Sequence, residues 1–382
     1  CGVERCLFGN GKELHFKKLM DFDTIGGKSN KNGARFDLDA MYVNWLGLSL
    51  KCYLPKSENS LSYVWESLKG KISYCNIKRL MFSSGWRYYA EIVVSGAAPT
   101  RVSIGTSTMG IDPGVSTIAG VSEDACVLEE LAPNAIQYEK KIQKISQSMD
   151  RSRRISNPNK YNEDGTINRS NRDPWKYSKN YVKMCRLLKS LYRKKHAYIV
   201  DSHRKLCNKL ITIAKYFPVE KMHFQALQKR AKETKRQEKK TEVKQKDGTV
   251  KVIQKYKRKK RFGRSINRRA PARFLLELKR KAEAVGGVYA EVDTKEFKAS
   301  QYNHVTDTYE KIPLSQREKE IGKRKVQRDL YSAFLIRNAD LDFKHPDREK
   351  CEYEFEYFAD MQDQLILKMK ESGLSMRQCF GF

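Results

Sequence analysis

Short runs rich in β-branched and aromatic residues occupy positions 35–43, 46–54, 70–77 and 86–94, with Gly, Pro, Asn and Ser between them. Several strands at this spacing predict a small barrel or sandwich over residues 1–104. Residues 108–122 then read as strand, Pro-Gly turn and strand, with Asp112 where the first strand ends. From there the apolar period lengthens to that of a helix. Residues 134–149 put Ile136, Ile142 and Ile145 on one side, and 178–215 carry Tyr181, Met184, Leu187, Leu191, Ile199, Leu206 and Leu210 against a basic face. These predict two antiparallel helices joined by a polar, basic loop at 151–175.

Pro218 discourages helix at the end of the second of these, so its last residues, 216–219, are expected as a strand closed by Glu220. Residues 272–285 repeat the helical period and stop at Gly286-Gly287; residues 288–293 alternate as a strand. A polar stretch, 294–325, precedes an expected helix at 326–336. A last amphipathic helix, at 353–370 within a C-terminal segment 346–382, has its acids early and its lysines late, as the helix dipole favours. The order after residue 105 is therefore mixed α/β: one sheet with flanking helices, over residues 105–345.

Charge changes the picture. The chain has 382 residues, with 76 Lys and Arg against 45 Asp and Glu, a formal net charge of +31. An excess of this size seeks a polyanion, and nucleic acid is the expected partner. The insert 228–269 is nearly half Lys and Arg; its composition predicts a long flexible loop, with Asp247-Gly248 at the tip of a small hairpin. Lys257, Arg258, Lys259, Lys260, Arg261, Arg264, Arg268 and Arg269 in this insert, with Arg186, Lys189, Arg193 and Lys194 on the long helix, are the expected phosphate contacts. Exposed aromatic residues of the N-terminal sheet could stack bases. No apolar run reaches membrane-spanning length, no amphipathic anchor or lipidation signal appears, and the N-terminus lacks a signal pattern, so a soluble, cytoplasmic protein is expected. The nine cysteines include no Cys-x-x-Cys pair and read as free thiols.

Three acids stand at element ends or on a helix face: Asp112, Glu220 and Asp329. Ser332 and Ala333 share a face with Asp329 and would let that helix approach the sheet. Hard cations take oxygen ligands, and two of them can clamp the attacking and leaving oxygens of a phosphodiester. Each acid also has a plainer explanation. Asp112 suits the first position of a type I turn, Glu220 an exposed strand end, and Asp329 a pairing with Arg328 or Arg324.

Taken together, Gly110-Ile-Asp112-Pro-Gly114-Val, Val219-Glu220-Lys-Met and Gln327-Arg-Asp329-Leu-Tyr-Ser-Ala333 resemble the three motifs of RuvC-type nuclease domains in the insertion-sequence TnpB proteins and the type V CRISPR effectors. The resemblance covers most of residues 35–340. It implies an RNase H-like nuclease domain behind a barrel of the wedge type. Asp112, Glu220 and Asp329 would be catalytic and would bind Mg²⁺ or Mn²⁺, with a guide RNA and a DNA target as partners. The implied activity is RNA-guided DNA cleavage by an insertion-sequence protein of the kind often labelled a transposase; the alternative is a non-cleaving RNA- or DNA-binding relative.

The sequence departs from the motifs at Gln327, where an acid is usual, and at Tyr331-Ser332, where Asn-Ala is usual. It has no cysteine between 298 and 325, so no structural zinc is expected. No helical run is expected before residue 104; with Cys1 in place of Met, this suggests that an N-terminal strand and a helical recognition lobe are missing.

Overall fold

The computed structural model describes residues 6–7, 22–163, 165–228, 236–244, 250–256, 262–313 and 315–374. The chain divides into two compact units, residues 1–99 with 140–194, and residues 100–139 with 195–382.

In the first unit, β1 (Thr24–Gly26), β5 (Ile72–Phe82) and β6 (Gly85–Val94) form one antiparallel sheet, and β2 (Arg35–Asp37), β3 (Tyr42–Trp45) and β4 (Leu48–Lys51) form another. Among the described residues these stay two three-stranded sheets, without the closed ring of a barrel. The single strand expected at 35–43 is broken by a turn. Asp37 accepts a hydrogen bond from the Ala40 amide (3.0 Å), and Met41 adopts positive φ.

Contrary to expectation, a helix precedes residue 104: α1, Glu58–Leu68. Leu61, Val64 and Leu68, at helical spacing, are its least exposed apolar side chains, and Val64 and Leu68 pack with Phe36, Val43 and Cys75. Tyr63 and Trp65 lie on its exposed side.

Two long helices, α2 (Ala135–Ser156) and α3 (Lys179–Ile213), occupy the expected positions, with α2 running seven residues further than its apolar pattern. The second unit is built on the mixed sheet that follows. Its strands are β7 (Ser107–Thr108), β8 (Gly110–Pro113), β9 (Thr117–Val121), β10 (Cys126–Glu130), β11 (Ala214–Glu220) and β14 (Val288–Val292). The order is β10-β9-β8-β11-β14; β8, β9 and β10 are antiparallel, whereas β11 runs parallel to β8 and β14 and also pairs with β7. Such a mixed sheet with helices on both faces fits the RNase H-like α/β class.

Between β11 and β14 lie α4 (Phe224–Gln228), the antiparallel pair β12 (Arg236–Lys244) and β13 (Val250–Tyr256), α5 (Gly263–Arg269) and α6 (Pro271–Ala284). The described part of the insert is thus a hairpin and a helix, where composition predicted a loop. β-branched Thr241, Val243, Val250, Val252 and Ile253 supply the strand preference that the lysines mask.

The C-terminal part comprises α7 (Thr294–Phe297), β15 (Tyr302–Asn303), β16 (Thr308–Tyr309), the hairpin β17 (Glu318–Ile321) and β18 (Arg324–Gln327), and then α8 (Arg328–Arg337) and α9 (Arg348–Glu371). The helix expected at 326–336 starts two residues late, because Val326 and Gln327 belong to β18. No helix among the described residues is long and apolar enough to cross a membrane.

Strand alternation sorts the sheet's side chains into two cores. Ile111, Ile118, Val127 and Val219 face α3 and α6, where Leu206, Leu210, Phe274 and Leu278 meet them. Ala119, Val121 and Leu128 face the other way, toward Leu330, Phe334 and Phe358 of α8 and α9. Nearly every residue of α8 is buried. Its approach to β8 is so close that a Cβ on Gly110 would stand 2.1 Å from the Ala333 carbonyl oxygen and 2.3 Å from the Arg337 nitrogen.

Gly110→Ala therefore forces α8 off the sheet. The expected loss is on the order of 3 kcal/mol or more of unfolding free energy in a denaturant melt. Gly322→Ala, whose new methyl meets nothing within 4 Å but keeps a positive φ, should lose only about 1 kcal/mol.

Candidate metal and nucleic-acid site

Asp112 and Glu220 are placed by register. Ile111 pairs with Val219 across the parallel β8 and β11, and both side chains are buried in the α3–α6 core. The next residue on each strand points to the opposite face. Asp112 and Glu220 therefore lie side by side on the α8 side of the sheet, and their carboxyl groups hydrogen-bond to each other. The turn that ends β8 is made by residues 114–117, with the Gly114 amide donating to the Thr117 carbonyl (2.9 Å); Asp112 remains in the strand, opposite Ala119.

Asp329 comes from the first turn of α8, where an acid suits the helix dipole. Gln327 caps that helix: its side-chain oxygen accepts from the Leu330 amide (2.7 Å), while its own amide donates to Gln362 of α9 (2.7 Å). The departures from the third motif thus have structural work of their own. Tyr331 is bonded through its hydroxyl to His304 Nδ1 (2.8 Å), and Ser332 donates to the Arg328 carbonyl (3.0 Å).

Asp112 and Glu220 keep partial exposure while largely surrounded by protein. Burial, then repulsion from Glu220 and Asp329, raises Asp112 well above the usual carboxylate range. Glu220 is also raised, by burial first and by Asp329 in addition. Asp329 is oppositely placed electrically. Arg328 donates to its Oδ1 through Nε (3.2 Å) and Nη2 (3.0 Å), and Arg317 Nη1 and Gln327 Nε2 stand 3.4 Å from its Oδ2. Of the two pairings open to Asp329 from sequence, Arg328 is the one made; Arg324 turns to Glu356, Asp360 and Asp363 on α9.

The donor set, three carboxylates that repel one another, fits a hard divalent cation. As they stand, no three His, Cys, Asp or Glu side chains among the described residues form a ready cage.

No protein-family model matches the chain, and no curated protein matches it. Solved structures do. One is a cryo-EM structure of a Cas12f1–sgRNA–target DNA complex, with a TM-score of 0.44, 12% identity and coverage of 74% of this chain and 48% of that one. Another is a cryo-EM structure of a CRISPR-Cas12f ternary complex, with a TM-score of 0.34, 14% identity and coverage of 77% and 49%. The chain spans about half the length of each.

The expected phosphate contacts divide. Arg186, Lys189, Lys194 and Arg264 are exposed. Arg193 is half-buried: its Nε donates to the Met81 carbonyl (3.1 Å), and its guanidinium lies 3.8 Å from the centre of the Phe82 ring. Lys189 leans over Trp86, which Arg79 also covers. Arg268 and Lys195 share Glu139 (2.7 and 2.9 Å), and buried Arg269 pairs with Glu130. Arg193, Arg268 and Arg269 thus each have partners within the fold. Their partners are acids or rings distant in sequence, which composition cannot reveal. Lys257, Arg258, Lys259, Lys260 and Arg261 lie outside the described residues.

Arg328, Arg317 and Gln327 were not singled out as site residues from the sequence. The adjacency of Arg328 to Asp329 at a helix start was the available signal. In the segment without cysteines, His304 is buried against Tyr331, Phe334 and Phe355, and burial lowers its imidazole to about 4.

Two expectations follow. Raised folded-state carboxyls stabilise the protein below their unfolded value of about 4 and lose that contribution as pH climbs through the folded value. Asp112→Asn removes the penalty of ionisation. It should raise the melting temperature relative to the parent at pH 7, with the difference shrinking as pH is lowered toward 4. Separately, Arg268→Ala should lower the melting temperature, whereas Arg186→Ala should leave it unchanged and weaken nucleic-acid binding in a filter-binding titration.

Proposed function

We propose that the chain is a metal-dependent endonuclease of the TnpB kind, cutting DNA at Asp112, Glu220 and Asp329 under the direction of a guide RNA. The observation that carries this reading is the registered Asp112–Glu220 pair on neighbouring strands, with Asp329 close enough to raise both. Such crowding of like charge is unfavourable in a protein that gains nothing from it. It is the arrangement from which a site for a divalent cation is made.

Asp112, Glu220 and Asp329 would hold Mg²⁺ or Mn²⁺, which when bound supplies Lewis-acid polarisation of the phosphodiester and a more acidic water. The chain's own contribution is threefold. The sheet fixes two oxygen donors in register; α8 brings the third from its N-terminal turn. The exposed cations Arg186, Lys189, Lys194 and Arg264 offer phosphate contacts whose sequence independence leaves target choice to base pairing. The net charge of +31 supports a polyanionic partner. Tyr88 and Tyr89, exposed on β6 and lining a cavity of ≈ 1420 Å³ in the first unit, offer ring faces to unpaired bases.

A second reading is a nucleic-acid-binding protein that does not cut. The pairing of Asp329 with Arg328 and Arg317 favours it, because a carboxylate so engaged is not a free ligand.

Cleavage of a guide-matched DNA by the purified ribonucleoprotein should require Mg²⁺ and should fall by about 10³-fold or more in Asp112→Ala, with RNA binding retained in a gel-shift assay. Cleavage that survives this substitution would remove the assignment. Absence of cleavage in the parent, with tight binding, would establish the second reading.

A further inference from the structure

We infer that Arg328 is the resident counter-ion of the acidic site, occupying Asp329 until a divalent cation displaces it. The inference rests on the nuclease reading above and concerns how that site is loaded.

Arg328 is the first residue of α8 and is almost fully buried. Its backbone is fixed: the amide donates to the Arg317 carbonyl (2.8 Å), and its carbonyl accepts from Ser332. Among its contacts, the guanidinium spans two anchors on either side of the helix start. Nε and Nη2 grip Asp329 Oδ1, while Nη1 donates to the Gln316 carbonyl (3.2 Å). The same positive charge favours ionised Asp112. One guanidinium thus neutralises part of a three-carboxylate cluster.

The other oxygen of Asp329 is taken by Arg317 and Gln327. Arg317 comes from the segment just before β17, is half exposed, and makes the longer contact. It is the weaker of the two holds.

A guanidinium and a hard cation cannot both use the same carboxylate oxygen at full strength. Each charge-assisted bond to Asp329 must be given up when an ion arrives. Loading is therefore a competition, and the measured ion affinity is the site's intrinsic affinity reduced by the stability of the arginine-bound state. A phosphate group arriving at the acids would offer the released guanidinium a new bidentate partner. Ion and nucleic acid should consequently favour each other's binding.

The test is a calorimetric Mn²⁺ titration of the full chain without nucleic acid, comparing the parent with Arg328→Gln, Arg317→Gln and Asp112→Asn. Arg328→Gln should bind Mn²⁺ about tenfold tighter than the parent, and Arg317→Gln about two- to threefold tighter. Asp112→Asn should bind it much more weakly. Equal or weaker binding by Arg328→Gln would overturn the inference. If that variant fails a circular-dichroism check of its fold, Arg317→Gln decides, and no gain there overturns it. Parent and Arg328→Gln binding alike, both abolished by Asp112→Asn, would leave the nuclease site standing without this role for Arg328. No Mn²⁺ binding by any of the four would remove the site reading and the inference with it.

Discussion

The contact on which the second unit depends is that of α8 with β8 at Gly110. A helix whose faces are nearly all apolar has to be enclosed. Here Ala119, Val121 and Leu128 of the sheet enclose it on one side, and Phe355 and Phe358 of α9 on another. The missing side chain at Gly110 sets the depth of that insertion. The depth in turn brings Asp329, the second residue of α8, within electrostatic reach of Asp112 and Glu220. Packing of apolar groups thus supplies the work that holds three like charges together.

Around that contact the polar groups are paired with care. Gln327 and Gln362 satisfy the start of α8, and Arg337 near its end is buried with Glu354. Lys319, whose ammonium is lowered to about 8 by burial, donates to the Tyr302 carbonyl (2.5 Å). His304 and Tyr331 join the residues before β17 to the helix. In this stretch, hydrogen bonds and stacked rings do the tying.

Much of this was legible in the chain itself. The long helices, the strand ending at Glu220 and the α6–β14 unit follow from period and from Pro218, Gly286 and Gly287. Other features were not. α1 is short, and its apolar stripe is only Leu61, Val64 and Leu68, with Tyr63 and Trp65 on its exposed side. The start of α8 was misplaced because Val326 and Gln327 serve a short hairpin whose pairing is not periodic. The sorting of arginines into exposed and interior ones depends on Glu130, Glu139 and Phe82, each far away in sequence. For the candidate site, the acids could be named from motif and position. The pairing of Asp329 with Arg328 was one of two options open from sequence; the hold of Arg317 on Asp329 belongs to tertiary geometry.

The β12–β13 ribbon has a mechanical consequence. A nine-residue strand rising about 3.3 Å per residue makes a spar roughly 30 Å long. Because its main chain is already paired, much of the entropy a free segment would forfeit on meeting an anion has been spent during folding. An anion that meets this ribbon then finds a backbone already ordered along its length.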